Sequence, residues 1–230
     1  MAAGQAVVIG SAGGIGTAMM GALRDCGLFS SVEGLSRNSV PSIDLLNEQS
    51  IAEAAGCLAN AQNDIRLIVD ATGALCWEGH MPEKTWRNLD PAAMAQAFAI
   101  NAIGPALLMK HFLPVLPRSG RAVFATLSAR VGSISDNDLG GWYSYRASKA
   151  ALNQLVRTAS IELKRSKPEA ICVSLHPGTV ATGLSGPFGK QGLEVQSPEA
   201  SADRLVKVLT GLTPEDTGGF FDHKGVRISW

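Results

Sequence analysis

A tyrosine and a lysine four residues apart are the two side chains in this sequence whose types and spacing best suit proton chemistry. Tyr145 and Lys149 lie within the stretch 142–153, which has the periodicity of a helix, and a spacing of four residues places both side chains on one helix face. A phenol normally titrates near ~10, but a nearby ammonium group favours the phenolate and lowers that pKa. The pair is therefore a candidate for passing a proton to or from an alcohol or carbonyl oxygen, although an ordinary surface pair has the same spacing.

A glycine-rich turn near the start of the chain is a candidate phosphate-binding site. The pattern G-x-x-x-G-x-G lies between a short apolar run and a helical stretch. Glycine permits a positive φ and a close approach of backbone to a ligand, and a helix beginning at this point offers free N–H groups to a pyrophosphate. A tight turn without a ligand is the alternative interpretation. The expected contacts are Gly10, Ser11, Gly14, Ile15 and Gly16.

The end of the second apolar run indicates which nucleotide this turn binds. An acidic residue at that position usually binds the ribose 2′-hydroxyl of NAD, whereas an arginine accommodates the 2′-phosphate of NADP. Here the run ends Leu35-Ser36-Arg37-Asn38, and Glu33 lies earlier, inside the run. Arg37 offers a fork of donors to a phosphate. We therefore expect NADP(H) as the favoured cofactor, with NAD(H) as the alternative and a solvated strand-end charge as the simpler explanation of Arg37.

The arrangement of apolar runs and helical stretches predicts the elements that position these residues. Short apolar runs alternate with longer helical stretches, which is typical of βαβ units and a parallel sheet. We predict a doubly wound parallel α/β sheet of the Rossmann type, with residues 1–230 forming a single domain. The Gly- and Pro-rich segment 183–198 is expected to be a mobile loop that closes over substrate. The predicted strands are 5–10, 31–36, 65–70, 121–128 and 170–176, and the predicted helices are 47–60, 91–113, 143–166 and 198–210.

The composition excludes several classes of protein. Of the 230 residues, 46% are hydrophobic, and 20 basic residues balance 20 acidic ones, so there is no basic excess for a nucleic-acid backbone. The four cysteines and four histidines show no CxxC, HxH or HExxH spacing, which argues against a metal site. No apolar run reaches ~18 residues and no basic residue precedes Arg24, so we expect neither a membrane span nor secretion, and we predict a cytoplasmic protein with free thiols.

The predicted helix 91–113 is apolar on almost every side. Such a helix must be covered on every side, and in a sheet-and-helix layer only one side meets the sheet. Either a neighbouring helix of the same chain or a second subunit covers the other side. We favour a homo-oligomer, a dimer or a tetramer, with two-fold contacts as the simplest arrangement.

Taken together, these motifs resemble the short-chain dehydrogenase/reductase family over nearly the whole chain. The glycine turn matches the cofactor motif of that family, and Tyr145 with Lys149 matches its active-site Tyr-x-x-x-Lys. The stretches 140–153 and 218–230 resemble most the small C-factor-like branch. The resemblance extends to further residues of the cofactor and active sites, which are Asn101, Asp44, Leu45, Pro177, Gly178, Val180 and Thr182.

The resemblance implies a hydride-transferring oxidoreductase that acts on a small carbonyl or alcohol substrate. Tyr145 would protonate or deprotonate the substrate oxygen. Lys149 would lower the pKa of the phenol and hold the nicotinamide ribose, while Asn101 would anchor a water that links Lys149 to solvent. Asp44 would contact the adenine ring, and the segment 177–182 would hold the nicotinamide carboxamide. The nicotinamide performs the hydride chemistry, and the protein positions it and supplies the proton.

Two stretches depart from the pattern of the family. Where the family often has Asn-Asn-Ala-Gly, this chain has Asp70-Ala71-Thr72-Gly73, so Ala71 and Gly73 are expected beside the cofactor and Asp70 would replace a structural asparagine through its oxygens. The serine that polarises the substrate lies in the second departing stretch, which begins Ser128-Ala129 and ends at Ser133. Anchored on Gly132, the alignment puts Ala129 at the catalytic position, and one gap puts Ser128 there. We favour Ser128, with Ser133 as a third candidate.

These departures leave a second hypothesis open. A non-catalytic protein that binds NAD(P) and senses or signals redox state would tolerate the loss of the polarising hydroxyl. Such a binder would not need a tuned proton donor, so the presence of Tyr145 and Lys149 favours the enzyme. A Rossmann-like methyltransferase is disfavoured on the same ground, and a serine hydrolase is disfavoured because no G-x-S-x-G elbow occurs.

Overall fold

The five predicted apolar runs form parallel strands in a computed structural model, which describes residues 4–61, 64–77, 79–182 and 195–230. Every residue of the strands that begin at Gln5 and Ala122 is buried, as expected for strands covered by helices on both faces. The observed ends lie within one residue of the predicted ends. The strands are β1 Gln5–Ile9, β2 Ser31–Leu35, β3 Ile65–Asp70, β4 Ala122–Leu127, β5 Ala170–His176, β6 Thr179–Val180, β7 Val195–Gln196 and β8 Phe220–Asp222.

Three of the helices begin at polar side chains that accept hydrogen bonds from free backbone N–H groups. Asn47 accepts from the backbone N–H of Gln49 and Ser50, and Asp90 and Ser197 cap their own helices in the same way. Such caps satisfy donors that have no partner within the helix. The helices are α1 Gly14–Asp25, α2 Glu48–Asn60, α3 Pro91–Phe98, α4 Gly104–Phe112, α5 Tyr143–Ser166 and α6 Pro198–Gly211.

The sheet has the strand order β2-β1-β3-β4-β5-β8, and each neighbouring pair is parallel. From β1 the chain first goes to one side of the sheet to form β2, and it then returns to the other side of β1 to form β3. Ligands of open α/β sheets bind at such a reversal, outside the carboxyl ends of the strands. The topology therefore opens a crevice at the carboxyl ends of β1 and β3, and the prediction of a doubly wound parallel sheet is confirmed.

Two apolar clusters fix the helices on the two faces of the sheet. On one face, side chains of the strands pack against α2, α4 and α5, with Phe112, Phe124 and Leu152 fully buried in this cluster. On the other face, the alternate side chains pack against α1 and α6, and Met19 and Leu205 are fully buried there. The alternation along each strand follows from the two-residue period of a pleated strand. Helices α5 and α1 therefore lie on opposite faces of the sheet, one on each side of the crevice.

The predicted helix 91–113 is interrupted. Residues Ala99–Ile103 form a π-helical segment between α3 and α4, and such segments occur frequently at functional sites. The inner side of α4 is buried with the core, but the Ile103 side chain is 54% exposed. By length and composition the stretch Pro91–Phe112 could cross a membrane, yet its inner side packs against α2 and α5 as a core helix does. The apolar surface of residues 91–113 is therefore only partly buried by the rest of this chain.

The prediction of a loop over 183–198 is wrong for residues 195–198. Residues 183–194 of this loop lie outside the described residues. Val195–Gln196 form β7, which pairs in parallel with β6, and Ser197 caps α6. The chain also adds β8 at the edge of the sheet, which the sequence analysis did not predict. Three residues, two of them phenylalanine, are too few to show a two-residue period, so a strand of this length gives no periodic signal.

A buried lysine at the end of α5 holds the segment that ends and follows α4. The Lys167 Nζ, at the end of α5, donates to the backbone oxygens of Leu113 and Pro114 at 2.9 and 2.7 Å and also to that of Leu116. Lys167 is 8% exposed, and burial lowers the pKa of its amine. The carbonyls after α4 have no helical partner, so Lys167 serves as their cap.

Replacing Lys167 with methionine should destabilise the fold. The variant keeps the apolar stem and loses the ammonium donors, leaving buried carbonyls without partners, and hydrogen bonds to a charged group contribute about 1.5–3 kcal/mol each. We expect the free energy of unfolding to fall by about 2–3 kcal/mol in a urea titration. Lys164→Met, one turn earlier and exposed, is the matched control. Equal stability of the two variants would contradict the capping role.

Candidate active site

The glycine turn lies at the carboxyl end of β1 and is held against the end of β2. Gly10 has a φ of 82°, and the N–H groups of Gly10 and Ser11 donate to the Leu35 oxygen at 2.8 and 3.1 Å. A Cβ at Gly16 would lie 2.1 Å from the Gly10 oxygen, so no side chain fits there. The backbone of this turn is therefore exposed to the crevice at close range.

The helix that follows the turn presents its free N–H groups to the same crevice. The N-cap of α1 is Gly13, which provides no side-chain cap, and no acidic residue occupies the first turn, where Ile15 lies. Such an N-terminus attracts an anion through its N–H groups and its partial positive charge. A Cβ at Gly14 would lie 2.9 Å from the Thr182 methyl group. Thr182 therefore borders the turn from the opposite side of the crevice.

Arg37 lies two residues beyond β2, next to the turn. The side chain is exposed, and the bend that carries it is fixed by hydrogen bonds from the Ser36 N–H to the Ser39 hydroxyl at 2.8 Å and from the Ile43 N–H to the Ser36 oxygen at 3.0 Å. The guanidinium is therefore free to approach a phosphate placed at the end of β2. The structure thus places Arg37 at the end of β2, and its contact with a 2′-phosphate stays a prediction.

Asp44 and Leu45 lie further along the same edge. Asp44 is exposed, and its carboxylate accepts from the Leu46 N–H at 3.0 Å. Leu45 is half-buried against the core, and a Cβ at Gly104 would lie 2.9 Å from the Leu45 Cβ. The pair thus forms a polar and an apolar surface at the β2 side of the crevice.

Tyr145 and Lys149 lie on one face of α5, as the spacing predicts. The Lys149 Nζ is 5.9 Å from the centroid of the Tyr145 ring, and it donates to the Leu127 oxygen, at the carboxyl end of β4, at 2.8 Å. Lys149 is 2% exposed and Tyr145 is half-buried. The bond to Leu127 brings the pair to the carboxyl edge of the sheet, on the same edge as the glycine turn.

The electrostatics of the pair differ from the expectation that Lys149 lowers the pKa of the phenol. Burial raises the pKa of Tyr145 above its ordinary value. Burial also lowers the pKa of Lys149 to about 8, although the carboxylate of Asp70 opposes this shift. Because removal from water disfavours the charged form of each group, desolvation outweighs the attraction between them. The phenol therefore holds its proton at neutral pH.

Asn101 lies in the π-helical segment and joins the segment after β3 to α5. The Asn101 Oδ1 accepts from the Ala74 N–H at 2.9 Å, and its Nδ2 donates to the Ala74 oxygen at 2.8 Å and to the Ser148 hydroxyl at 3.3 Å. A Cβ at Gly73, whose φ is 144°, would lie 3.2 Å from both the Asn101 Oδ1 and the Lys149 Nζ. Gly73 is thus the point at which these two side chains meet.

The buried carboxylate of Asp70 takes the place where the resemblance would put an asparagine. Asp70 is fully buried at the end of β3. Its carboxylate accepts from the Thr72 N–H and hydroxyl at 3.0 and 2.5 Å and from the Thr126 hydroxyl at 2.6 Å. Burial raises the pKa of Asp70, while these donors and Lys149 oppose the shift. The oxygens alone therefore hold the bend at Ala71 and Thr72, which agrees with the expectation.

The three positions considered for a polarising hydroxyl, residues 128, 129 and 133, lie in different surroundings. Ser128 is 3% exposed at the end of β4, and its buried hydroxyl has no hydrogen-bond partner among the described residues. Ala129 is half-buried. The Ser133 hydroxyl donates to the Ser229 oxygen at 2.6 Å and accepts from the Asp136 N–H at 3.2 Å. The hydroxyl of Ser133 is thus engaged in joining two segments, and that of Ser128 has no partner.

The segment after β5 is anchored from α6 and β7. The oxygen of Pro177 accepts from the Gln196 Nε2 at 2.7 Å and the Ser201 hydroxyl at 2.8 Å. Gly178 has a φ of 84°, and Val180 pairs with Gln196 in the two-stranded sheet. These contacts fix the segment at the carboxyl edge, where it leads to Thr182 beside the glycine turn.

Two groups near the site were missed by the sequence analysis. A Cβ at Gly132 would lie 2.8 Å from the Lys149 Cβ, so the absence of a side chain there lets the lysine approach β4. Glu83 binds the first turn of α5 from a segment 61 residues earlier in the chain. Gly132 lies beside the candidate Ser133, which is a weak signal in the sequence. No local pattern marks Glu83.

Comparisons with known proteins agree with this architecture. The family profile described as Enoyl-(Acyl carrier protein) reductase matches residues 28–209. The C-signal protein of Myxococcus xanthus is 40% identical over 144 residues, which are 62% of this chain and 82% of that protein. The 1-hydroxy-2-glutathionyl-2-methyl-3-butene dehydrogenase of Rhodococcus sp. (strain AD45) is 30% identical over 190 residues, or 83% of this chain and 79% of that protein.

A solved structure shows the same fold over the whole chain. The structure described as NADPH bound carbonyl reductase from chicken fatty liver has a TM-score of 0.85 and 24% identity, and the match covers 100% of this chain and 97% of that one. The profile covers most of the chain, and the Rhodococcus dehydrogenase matches most of its own length. On this evidence, together with the parallel sheet and the Tyr-Lys pair on α5, the chain belongs to the short-chain dehydrogenase/reductase family of oxidoreductases.

Proposed function

We propose that the protein uses NADP(H) to interconvert a small carbonyl compound and its alcohol, with Tyr145 as the proton donor and acceptor. The observation that carries this proposal is the meeting of Tyr145, Lys149 and Asn101 at the carboxyl edge of the sheet that also holds the glycine turn. The dehydrogenase and the carbonyl reductase to which the chain is similar bear names of the same reaction type.

The residues along the crevice fit a dinucleotide. The uncapped start of α1 suits the pyrophosphate, and Arg37 at the end of β2 suits a 2′-phosphate, so NADP(H) is the favoured cofactor and NAD(H) the alternative. Lys149 would hold the nicotinamide ribose beside Gly73, and the segment from Pro177 to Thr182 would hold the carboxamide. The nicotinamide, when bound, supplies or accepts the hydride. The full proposed set is Gly10, Ser11, Gly14, Ile15, Gly16, Arg37, Asp44, Leu45, Ala71, Gly73, Tyr145, Lys149, Pro177, Gly178, Val180 and Thr182.

The proton is proposed to move at the phenol oxygen of Tyr145. Because burial raises the pKa of this phenol, it is protonated at neutral pH and suited to donating its proton to the oxygen of a carbonyl group as that oxygen becomes an alcohol. The Lys149 ammonium, with a pKa of about 8, then stabilises the phenolate that remains. Asn101 would anchor a water that returns the proton from solvent to this pair.

Ser128 is proposed to polarise the substrate oxygen. Its hydroxyl has no partner in the structure, and buried hydroxyls normally have one. A substrate oxygen would be such a partner. Its neighbour Ala129 lacks a hydroxyl, so Ser128 is the nearest group of the right kind at the end of β4.

A second candidate function is binding of NADP(H) without turnover, as a redox sensor or signalling protein. The observations that favour it are Ala129, which has no hydroxyl, and the buried position of the Ser128 hydroxyl. The similarity to a protein named C-signal points in the same direction. The enzyme remains the better proposal because a protein that only binds the cofactor does not need the proton donor Tyr145.

We further propose a homodimer or homotetramer in the cytoplasm, with small molecules rather than nucleic acids or membranes as partners. The half-covered side of the segment that includes Ile103 supports contact with a second copy. All four cysteines are free thiols, which suits a reducing compartment. The charges balance, so no basic excess attracts a phosphate backbone.

Tyr145→Phe tests the proton role. The variant removes only the hydroxyl, so we expect turnover of carbonyl substrates to fall by at least ~10² while the Kd for NADPH changes little. The measurement is the loss of NADPH absorbance with a panel of aldehydes, ketones and quinones, together with cofactor titration. Tyr143→Phe is the matched control on the same helix. Comparable turnover in both variants would refute the role, and a wild-type protein that binds NADPH tightly but turns over none of the panel would support the sensor.

Arg37→Ala tests the choice of cofactor. Loss of the guanidinium removes its contact with the 2′-phosphate, so the Kd for NADPH should rise ~10-fold or more while that for NADH stays within about twofold. Both constants follow from fluorescence titration of the same preparation. Equal losses of affinity for the two cofactors would remove the argument for the 2′-phosphate.

Ser128→Ala and Ala129→Ser together locate the polarising hydroxyl. Loss of one donor to a developing oxyanion costs ~10²–10³ in kcat, so Ser128→Ala should lower kcat by that order while leaving the Kd for NADPH unchanged. Ala129→Ser should then have little effect. Full activity in Ser128→Ala with a faster Ala129→Ser variant would assign the position to residue 129 instead.

A further inference from the structure

Helix α5 begins from a backbone that is unusual for its residues. Gly140, Gly141 and Trp142 have φ values of 61°, 67° and 53°, so three successive residues are left-handed just before the helix. Trp142 is the N-cap and makes no side-chain cap. A left-handed conformation is strained for a non-glycine residue and persists only where neighbouring contacts hold it. The start of the helix that carries Tyr145 is therefore held from outside.

Glu83 supplies the contacts that hold it. The backbone oxygen of Glu83 accepts from the Trp142 N–H at 2.5 Å. The carboxylate of Glu83 accepts from the Ser144 N–H at 3.2 Å and also from the Ser144 hydroxyl. Glu83 is 3% exposed. One residue from a distant segment thus binds the N-cap and the first turn of α5.

The charge of Glu83 suits this position. Burial would raise the pKa of the carboxyl, but hydrogen bonds from Ser144 and the neighbouring His80 outweigh it, and the pKa lies below its ordinary value. The group is therefore a carboxylate at neutral pH. A carboxylate at the N-terminus of a helix is stabilised by the free N–H groups and by the helix dipole.

The residues that Glu83 binds lie directly beside Tyr145. The Trp142 ring meets the Tyr145 ring edge-on, with centroids 6.3 Å apart and an angle of 71°. On the other side, Arg146 donates to the oxygens of Gly141 and Gly140 at 3.0 and 3.2 Å. The orientation of the Tyr145 ring therefore depends on the turn that precedes it. Arg146 binds the glycines of this turn, and Glu83 binds Trp142 and Ser144, where α5 has no side-chain cap.

We propose that Glu83 is a positioning residue for the reaction, which fixes the N-terminus of α5 and thereby holds the Trp142 and Tyr145 rings in their working orientation. The inference rests on the proposed function, because it assigns Glu83 a role in the step that Tyr145 performs. It touches neither substrate nor cofactor. Its effect is expected in turnover, since misplacing a reacting group by about 1 Å can cost ~10²-fold in rate.

The test compares Glu83→Ala and Glu83→Gln with a matched carboxylate. Asp216 has a similar bonding pattern, because its carboxylate accepts from the N–H and hydroxyl of Thr213 at 2.9 and 3.0 Å. It also lies 3.8 Å from Arg227, and it precedes β8, in a segment that does not include Tyr145 or its helix. We expect Glu83→Ala to lower kcat ~10–100-fold with the KM and Kd for NADPH within about twofold. Glu83→Gln keeps one acceptor and should restore most of the loss, and Asp216→Ala should leave kcat unchanged.

Hydrogen exchange measured by mass spectrometry adds a readout that does not depend on activity. The peptide that contains Ser144 should exchange faster in Glu83→Ala than in the wild type, and at the wild-type rate in Asp216→Ala. If the wild-type protein turns over no carbonyl substrate, the proposed function fails, while the exchange data still report whether Glu83 fixes this turn. A kcat for Glu83→Ala equal to that of Asp216→Ala, or a rise in the Kd for NADPH that matches the loss of kcat, overturns the positioning role.

Discussion

The burial of the Lys149 ammonium at the carboxyl edge of the sheet is the constraint on which the site depends. A buried cation needs a hydrogen-bond acceptor or a neighbouring negative charge; the Leu127 oxygen, at 2.8 Å, is the acceptor, and the Asp70 carboxylate supplies the charge. Its place leaves no room for other side chains, since a Cβ at Gly73 would lie 3.2 Å from the Nζ and one at Gly132 would lie 2.8 Å from the Lys149 Cβ. The two glycines thus follow from the packing of one lysine.

The same burial decides the protonation of the pair. In a site removed from water, each group favours its neutral form, so the pKa of the Tyr145 phenol rises and that of the Lys149 amine falls to about 8. Asp70 opposes the second shift, because its carboxylate, held by two threonine hydroxyls, favours the ammonium. A carboxylate at this place, where the resemblance puts an amide, therefore adds an electrostatic effect on Lys149 to its structural role at the bend.

The fold and half of the site were predictable because their signals are local. Strands buried on both faces are continuous apolar runs, and Tyr145 and Lys149 are neighbours on a helix because they are neighbours in sequence. The contacts that were missed join distant segments. Glu83 reaches α5 across 61 residues, and nothing near it in sequence marks this. The π-helical segment at Ala99–Ile103 changes the register of the backbone hydrogen bonds and leaves the apolar pattern of the sequence intact. Strand β8 is too short to show an apolar period.

The departures from the pattern of the family are unevenly placed across the crevice. The glycine turn, the uncapped start of α1 and Arg37 at the end of β2 keep the features on which the proposed binding of a dinucleotide rests. Asp70 and Ala129, in contrast, lie at the ends of β3 and β4, on the side where Tyr145 and Lys149 meet the sheet. Because the proposed phosphate contacts and the proposed handling of the substrate proton lie at different strand ends, changes at the second can alter the reaction without weakening the hold on the phosphates. The sequence differences therefore affect the proposed polarisation of the substrate oxygen and the proposed proton transfer. They leave the proposed phosphate-binding residues unchanged.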